Sequence, residues 1–124
     1  MILRDSLIDS TSTCKPMEFL QPEFKHEDSR RKLYQLLTDN IQQVNLYDAK
    51  KGACLGNHYH KDTTEYFYVV KGSVSYNDSQ VVKAGQYFKV FPPENHMIRC
   101  LTSVKLMTFL TKAYSKNEPD IWKR

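Results

Sequence analysis

An all-β sandwich or barrel is the fold class this sequence predicts, on three observations. From Arg31 onward the chain breaks into short runs rich in Val, Tyr, Phe and Thr. Gly, Asn, Asp and Pro punctuate those runs, and no segment keeps apolar residues at i, i+3, i+4, i+7 through three helical turns. The 124 residues suit one domain and leave no room for two.

Residues 1–28 are polar and aperiodic, and Pro16 and Pro22 interrupt any regular element there. Isolated Met17, Phe19 and Phe24 suggest an arm that packs at intervals. Strands are expected at 32–37, 42–47, 53–59, 65–70, 73–76, 80–82, 87–91, 96–101 and 105–111. Leu33, Leu36 and Leu37 would also fit a helical turn, but that run is too short to sustain a helix. Asn77-Asp78 favours a tight hairpin, Lys83-Ala84-Gly85 supplies a glycine for positive φ, and Pro92-Pro93 stops a strand. The expected organisation is an N-terminal arm over 1–28, a barrel over 29–112 and a C-terminal tail over 113–124.

Eighteen Lys and Arg against fourteen Asp and Glu leave a net charge of +4. The surplus is scattered, with Arg30-Arg31-Lys32 the only run of three, so no nucleic-acid partner is expected. Cys14, Cys54 and Cys100 are odd in number and form no CxxC pair, which suits reduced thiols in a cytoplasmic protein. Cys54 and Cys100 are expected to be buried, inert small hydrophobes, and His26 to face solvent in the arm. Arg4, Asp5 and Asp9 with no apolar core argue against a secretory signal. The longest strongly apolar stretch, 66–70, is too short to cross a membrane.

The chemistry concentrates in four residues. His58 and His60 stand two apart in an expected strand, so both imidazoles share a face. Glu65 opens the next strand across the turn-like Lys61-Asp62-Thr63-Thr64, and a hairpin there returns it to the pair. His96 heads a later strand and can close the set. Three imidazoles and a carboxylate make a borderline-hard nitrogen and oxygen site, suited to divalent Fe, Mn, Co, Ni, Cu or Zn.

Gly52-x5-His58-x-His60-x4-Glu65-x6-Gly72 matches the first cupin motif at every fixed position. The second cupin motif is met in part: Gly85, a proline pair and His96 are present. Pro92 falls one residue late, Glu94 replaces a glycine and Cys100 replaces the terminal asparagine. The chain resembles the cupin superfamily over roughly 42–110. That resemblance implies a double-sheet antiparallel jelly roll (a double-stranded β-helix) with its site in the barrel mouth. It also implies that His58, His60, Glu65 and His96 are metal ligands. The function it implies is a metal-binding protein acting on, or binding, a small polar molecule such as a sugar or organic acid. Tyr59, Tyr68, Tyr87 and Arg99 are candidate substrate contacts.

A second likeness lies within the family. Ser29-Arg30-Arg31-Lys32-Leu33, a strand, and then Leu55-Gly56-Asn57-His58-Tyr59-His60-Lys61 resemble the layout of nucleotide-sugar 3,4-ketoisomerases. Those enzymes use histidine as a metal-free acid and base on a keto-sugar. The chain departs from them at Leu55, where an arginine is expected, and at Glu65, where a non-ligand commonly stands. The alternatives to a metal site are therefore a metal-independent nucleotide-sugar isomerase or epimerase, and a non-catalytic cupin that binds a small ligand.

Strand parity adds an expectation about surfaces. If Glu65 faces the interior, so do Phe67 and Val69, while Tyr66, Tyr68 and Val70 face outward. Leu106, Thr108 and Leu110 likewise alternate with Lys105, Met107 and Phe109. A barrel apolar on both faces covers one with its arm or a second subunit, and the resemblance points to a homodimer.

Overall fold

The computed structural model describes residues 16–124. Among them every regular element is a strand: β1 Met17–Phe19, β2 Phe24–Glu27, β3 Lys32–Gln35, β4 Gln43–Ala49, β5 Cys54–His58, β6 Glu65–Lys71, β7 Ser73–Tyr76, β8 Gln80–Lys83, β9 Tyr87–Val90, β10 His96–Cys100 and β11 Val104–Leu110. They form a five-stranded sheet in the order β1-β9-β6-β11-β4, a four-stranded sheet in the order β5-β10-β7-β8, and a β2-β3 hairpin. All pairings are antiparallel. The all-β expectation holds, and the architecture is a two-sheet jelly roll.

Burial in β11 shows why these residues form strands. Val104, Leu106, Thr108 and Leu110 are buried, while Lys105 is exposed and Met107 and Phe109 are only half covered. A period of two presents one apolar row to the core. The five-stranded sheet contributes Phe67, Val69, Phe88, Val90, Val104 and Leu106 to that core, and the four-stranded sheet contributes Val74, Tyr76, Val82, Ile98 and Cys100. Phe88 stacks on Phe67 with ring centroids 4.9 Å apart, joining neighbouring strands β9 and β6. Burying each such side chain contributes about 1.5–3 kcal/mol.

The hairpin expected at Asn77-Asp78 joins β7 to β8. Both residues have positive φ (50° and 54°), and Ser79 N–H donates to the Tyr76 carbonyl at 2.9 Å, as a primed turn requires. Gly72 sits at φ +86° between β6 and β7, and a side chain there would run into the Ser103 backbone oxygen.

Three expectations need correction. The arm is not wholly aperiodic: β1 pairs with β9 at the sheet edge, and β2 pairs with β3 in a hairpin that spans residue 28. His26, exposed as expected, lies in that hairpin. Cys54 is exposed rather than buried, because β5 turns Leu55 towards the core and its neighbour outward. Cys100 is buried as expected, and burial raises its thiol above the ordinary range. Cys14 lies outside the described residues. Finally, Tyr66 occupies the outward face yet is buried, because the segment after β3 crosses it. Its hydroxyl donates to Asp39, and the Tyr87 hydroxyl donates to the Leu36 carbonyl at 2.8 Å. Val44 and Leu46 on the same outward face stay exposed.

Candidate functional site

The ladder between β5 and β10 places His58 directly opposite His96. His60 lies two residues beyond His58 on the same face, and Glu65 reaches across from the start of β6 in the other sheet. The four residues read from the sequence thus meet, with one donor atom from each lying within 4.8 Å of the others. His60, Glu65 and His96 are buried, and His58 is half-buried at the barrel mouth. Beside it a pocket of about 320 Å³ is lined by Gly56, Asn57, His58 and Lys123. Gly56 keeps that approach open: a β-carbon there would meet His58 Cε1 at 3.2 Å.

The hydrogen bonds constrain where the protons sit. His60 Nδ1 lies 2.6 Å from the Asp120 carbonyl oxygen and its Nε2 lies 2.9 Å from Glu65 Oε1. A carbonyl cannot donate and an ionised carboxylate can only accept, so His60 faces two acceptors. It can donate to both only with a proton on each ring nitrogen. Burial pushes its pKa down, but the bonds to Glu65 and Asp120 and the charge of Glu65 outweigh that and leave it raised.

His96 behaves oppositely. Burial, then the charges of His58 and His60, push it down to about 3, so it is neutral. Its Nδ1 has no hydrogen-bond partner, the Glu94 carbonyl exerting only a weak pull. A proton there would be a buried donor left unmet, at a cost of about 1–3 kcal/mol. The proton therefore sits on Nε2, which lies 3.1 Å from His58 Nε2 and 3.4 Å from Glu65 Oε1. Burial, followed by the charge of His60 and that of Lys123, also lowers the His58 pKa. The result is one chain of contacts, His58–His96–Glu65–His60, with an imidazole of lowered pKa at its open end and one of raised pKa at its inner end.

Two further groups were missed by the sequence reading. Tyr47 lies on the inward face of β4, two residues from Asn45, whose amide donates to the buried Thr108 hydroxyl. Burial first and the charge of Glu65 second raise its pKa, keeping it a proton donor. Its alternation with Val44 and Leu46 was the available signal, and Tyr47 itself stays 38% exposed, at the rim rather than in the core. Asp120 had none, because its carbonyl reaches His60 across 60 positions of sequence.

The proposed substrate contacts do not join the cluster. Tyr68 and Tyr87 pair with each other on the outward face of the five-stranded sheet, their rings 5.6 Å apart. Arg99 is turned outward from β10 and meets Asp78 at 3.3 Å. Tyr59 points away from its histidine neighbours and lies under Arg124, 4.4 Å from ring centroid to guanidinium. Alternation along each strand accounts for all of these placements.

The donor set fits a divalent cation in part: its short contacts suit one, while the four donor atoms lie within 4.8 Å of one another, wider than the roughly 4.2 Å that two opposed ligands on bonds of about 2.1 Å would span. Contacts of 2.9, 3.1 and 3.4 Å between Nε2 and Oε1 atoms match the roughly 3.0–3.4 Å expected of neighbouring ligands on metal bonds of about 2.1 Å. His60 also has the carbonyl behind it that a ligating imidazole usually keeps. His96 fits less well, since ligation through Nε2 would place its proton on the unmet Nδ1.

Comparison with known proteins places this arrangement. The family model described as the polysaccharide biosynthesis C-terminal domain matches residues 26–122. Among solved structures, the rmlC epimerase of Mycobacterium tuberculosis is similar with a TM-score of 0.66 and 20% identity, over 83% of this chain and 66% of that one. The sugar 3,4-ketoisomerase QdtA of Thermoanaerobacterium thermosaccharolyticum is similar with a TM-score of 0.67 and 14% identity, over 88% of each chain. The capsular polysaccharide assembling protein CapF of Staphylococcus aureus is similar with a TM-score of 0.57 and 22% identity. There the match covers 94% of this chain but only 34% of CapF. The chain thus spans about a third of CapF and just under two thirds of the epimerase. No curated protein matches it in sequence. At these identities the structural likeness establishes the cupin-type jelly roll, and the family match extends over most of the chain. The chain belongs to the polysaccharide biosynthesis C-terminal domain family.

Proposed function

We propose that the barrel mouth transfers protons at a carbon beside the ketone of a nucleotide-linked sugar, as an isomerase or epimerase does. The observation that carries this reading is the pairing of opposite protonation states in one cluster. His58, its pKa lowered, favours the neutral imidazole beside the pocket, while His60, its pKa raised, favours the proton between Glu65 and the Asp120 carbonyl. Tuned pairs of this kind divide the work of base and acid. The family description and the similarity to an epimerase and a ketoisomerase support a keto-sugar as the substrate class.

The steps balance without an external oxidant or reductant. His58 Nε2 accepts the proton from the carbon beside the carbonyl. The C–H electron pair becomes a C=C bond, and the carbonyl oxygen takes a proton from a donor in the mouth, for which Tyr47 is the candidate. His96 Nε2–H can turn from His58 to Glu65, 3.4 Å away, releasing the His58 lone pair at the moment it is needed. For an epimer, a donor on the opposite face protonates the same carbon, the enol hydroxyl returns its proton to the Tyr47 phenolate as C=O re-forms, and His58 passes its proton to solvent. For an isomer, His58 gives its proton to the former carbonyl carbon, and the hydroxyl on the first carbon gives its proton to the Tyr47 phenolate and becomes the new ketone. Burial of His60, Glu65 and His96 strengthens these interactions by excluding water.

A second reading is favoured by the four converging donor atoms: a divalent ion on His58, His60, Glu65 and His96. Such an ion would polarise a carbonyl or enediolate oxygen. The test is solvent deuterium wash-in followed by proton NMR. Incubation in heavy water with TDP-4-keto-6-deoxyglucose, the ligand of a QdtA variant, and with its uridine-linked counterpart should place deuterium beside the ketone. Elemental analysis of the same preparation decides the metal. Ligand binding without wash-in above a protein-free control would overturn the catalytic proposal and leave a binding protein.

A further inference from the structure

The residues after Leu110 do more than end the chain. Ala113 N–H and Tyr114 N–H donate to the side-chain oxygens of Gln42 and Gln43 at 3.0 and 2.8 Å. Further on, Tyr59 and Trp122 exchange backbone hydrogen bonds of 2.8 and 2.9 Å, and the Lys61 ammonium sits 3.7 Å above the Trp122 ring. Between these anchors Ala113, Tyr114, Asp120 and Ile121 close over His60 and leave a gap of only about 30 Å³. The segment is a strap across the back of the site.

Asp120 is its central fixing point. Its Oδ1 accepts the Lys61 amide at 2.8 Å and the Trp122 indole N–H at 2.9 Å. Its Oδ2 accepts the Asp62 amide and the Thr63 hydroxyl, each at 2.8 Å. Four donors hold one carboxylate, and through it the turn that follows His60. With the side chain fixed this way, the Asp120 carbonyl is aimed at His60 Nδ1, 2.6 Å away.

We infer that Asp120 is a positioning residue: by clamping the turn after His60 it sets its own carbonyl against the imidazole and keeps a proton on Nδ1. This holds whatever meets Nε2. A carbonyl can only accept, so Nδ1 carries the proton whether Nε2 faces the Glu65 carboxylate or a cation. Without the strap, Glu65 would be the only strong acceptor on the ring. A neutral His60 would then place its single proton on Nε2, leaving Nδ1 bare. The effect on turnover rests on the proton-transfer reading above; the effect on the imidazole does not.

The experiment uses the full-length 15N-labelled chain at one fixed pH near neutrality. Long-range proton–nitrogen spectra of His60 report which ring nitrogen is protonated. In the parent, Nδ1 should resonate as an N–H nitrogen. In Asp120→Ala it should move towards the bare, pyridine-like position, and Asp120→Asn, which keeps one accepting oxygen, should fall between. A folded Asp120→Ala with the parent His60 signals would overturn the inference. If that variant does not fold, Thr63→Val removes one bond to Oδ2 and should give a smaller movement in the same direction; no movement there overturns the inference equally. In the deuterium assay, Asp120→Ala should lower kcat about 10–100-fold with KM little changed, as expected when the group orienting an imidazole from behind is lost. An unchanged kcat refutes the consequence for turnover. A parent with no turnover refutes the proposed function instead, and the ring-nitrogen spectra still decide the role of the strap.

Discussion

The protonation of His96 sets a measurable dependence of stability on pH. In the folded chain burial holds this imidazole near a pKa of about 3, against 6.5 when exposed. Between those values the unfolded chain binds a proton that the folded chain refuses, so stability is full above 6.5 and falls as pH drops towards 3. At about pH 5 the unfolded side chain has gained about 1.5 pH units of protonation free energy, at about 1.4 kcal/mol each. The folded one has gained almost none. The loss assigned to His96 is therefore about 2 kcal/mol between about pH 7.5 and pH 5.

Other groups act over the same window, so the test is a difference. His58, also lowered, adds to the loss, and His60, raised, opposes it, because a raised folded pKa gives stability at low pH that fades as pH rises. Urea unfolding of the parent and of His96→Gln at both pH values cancels those contributions to first order. His96→Gln will be weaker at neutral pH, since its amide enters a pocket shaped for an imidazole beside Phe67, with ring centroids 5.4 Å apart. The expected outcome is that the gap between the two proteins narrows by about 2 kcal/mol on acidification, with unchanged denaturant slopes. A gap that stays constant would refute a buried, neutral His96.

Further outcomes follow from the core and the His60–Glu65 contact. Phe88→Ala removes a ring that is 0% exposed, and chemical unfolding should register a loss of about 3–5 kcal/mol; a loss below about 1 kcal/mol would contradict the packing described. Glu65→Gln removes the charge that helps raise the His60 pKa. It should slow deuterium wash-in about 100-fold, the scale of a general acid or base. A wash-in rate equal to the parent's would remove Glu65 from the machinery, and metal content measured on the same sample would show whether the carboxylate also serves as a ligand.

What could be read from the sequence was whatever strand periodicity and local spacing encode. His58 and His60 share a face because they are two residues apart, and Glu65 returns to them because a short turn separates the strands; neither conclusion needs the tertiary fold. The same parity, applied strictly, would have set Tyr68 on the face away from the four-residue cluster. It alternates with inward Phe67 and Val69, and the structure places it outward. Parity would equally have suggested Tyr47, two residues from Asn45 and opposite buried Leu106. The arm strands were hidden for a different reason. β1 and β2 are three and four residues long and owe their conformation to partners in β9 and β3 rather than to any pattern of their own. Asp120 lies beyond both kinds of signal. Its role passes through a backbone carbonyl, which every residue possesses, and through a carboxylate whose four donors include two main-chain amides. A side-chain motif cannot encode such a contact. The His58, His60 and Glu65 part of the site is therefore local in sequence, while the carbonyl that fixes the proton on His60 Nδ1 arrives only when residues 113–122 fold back over the barrel.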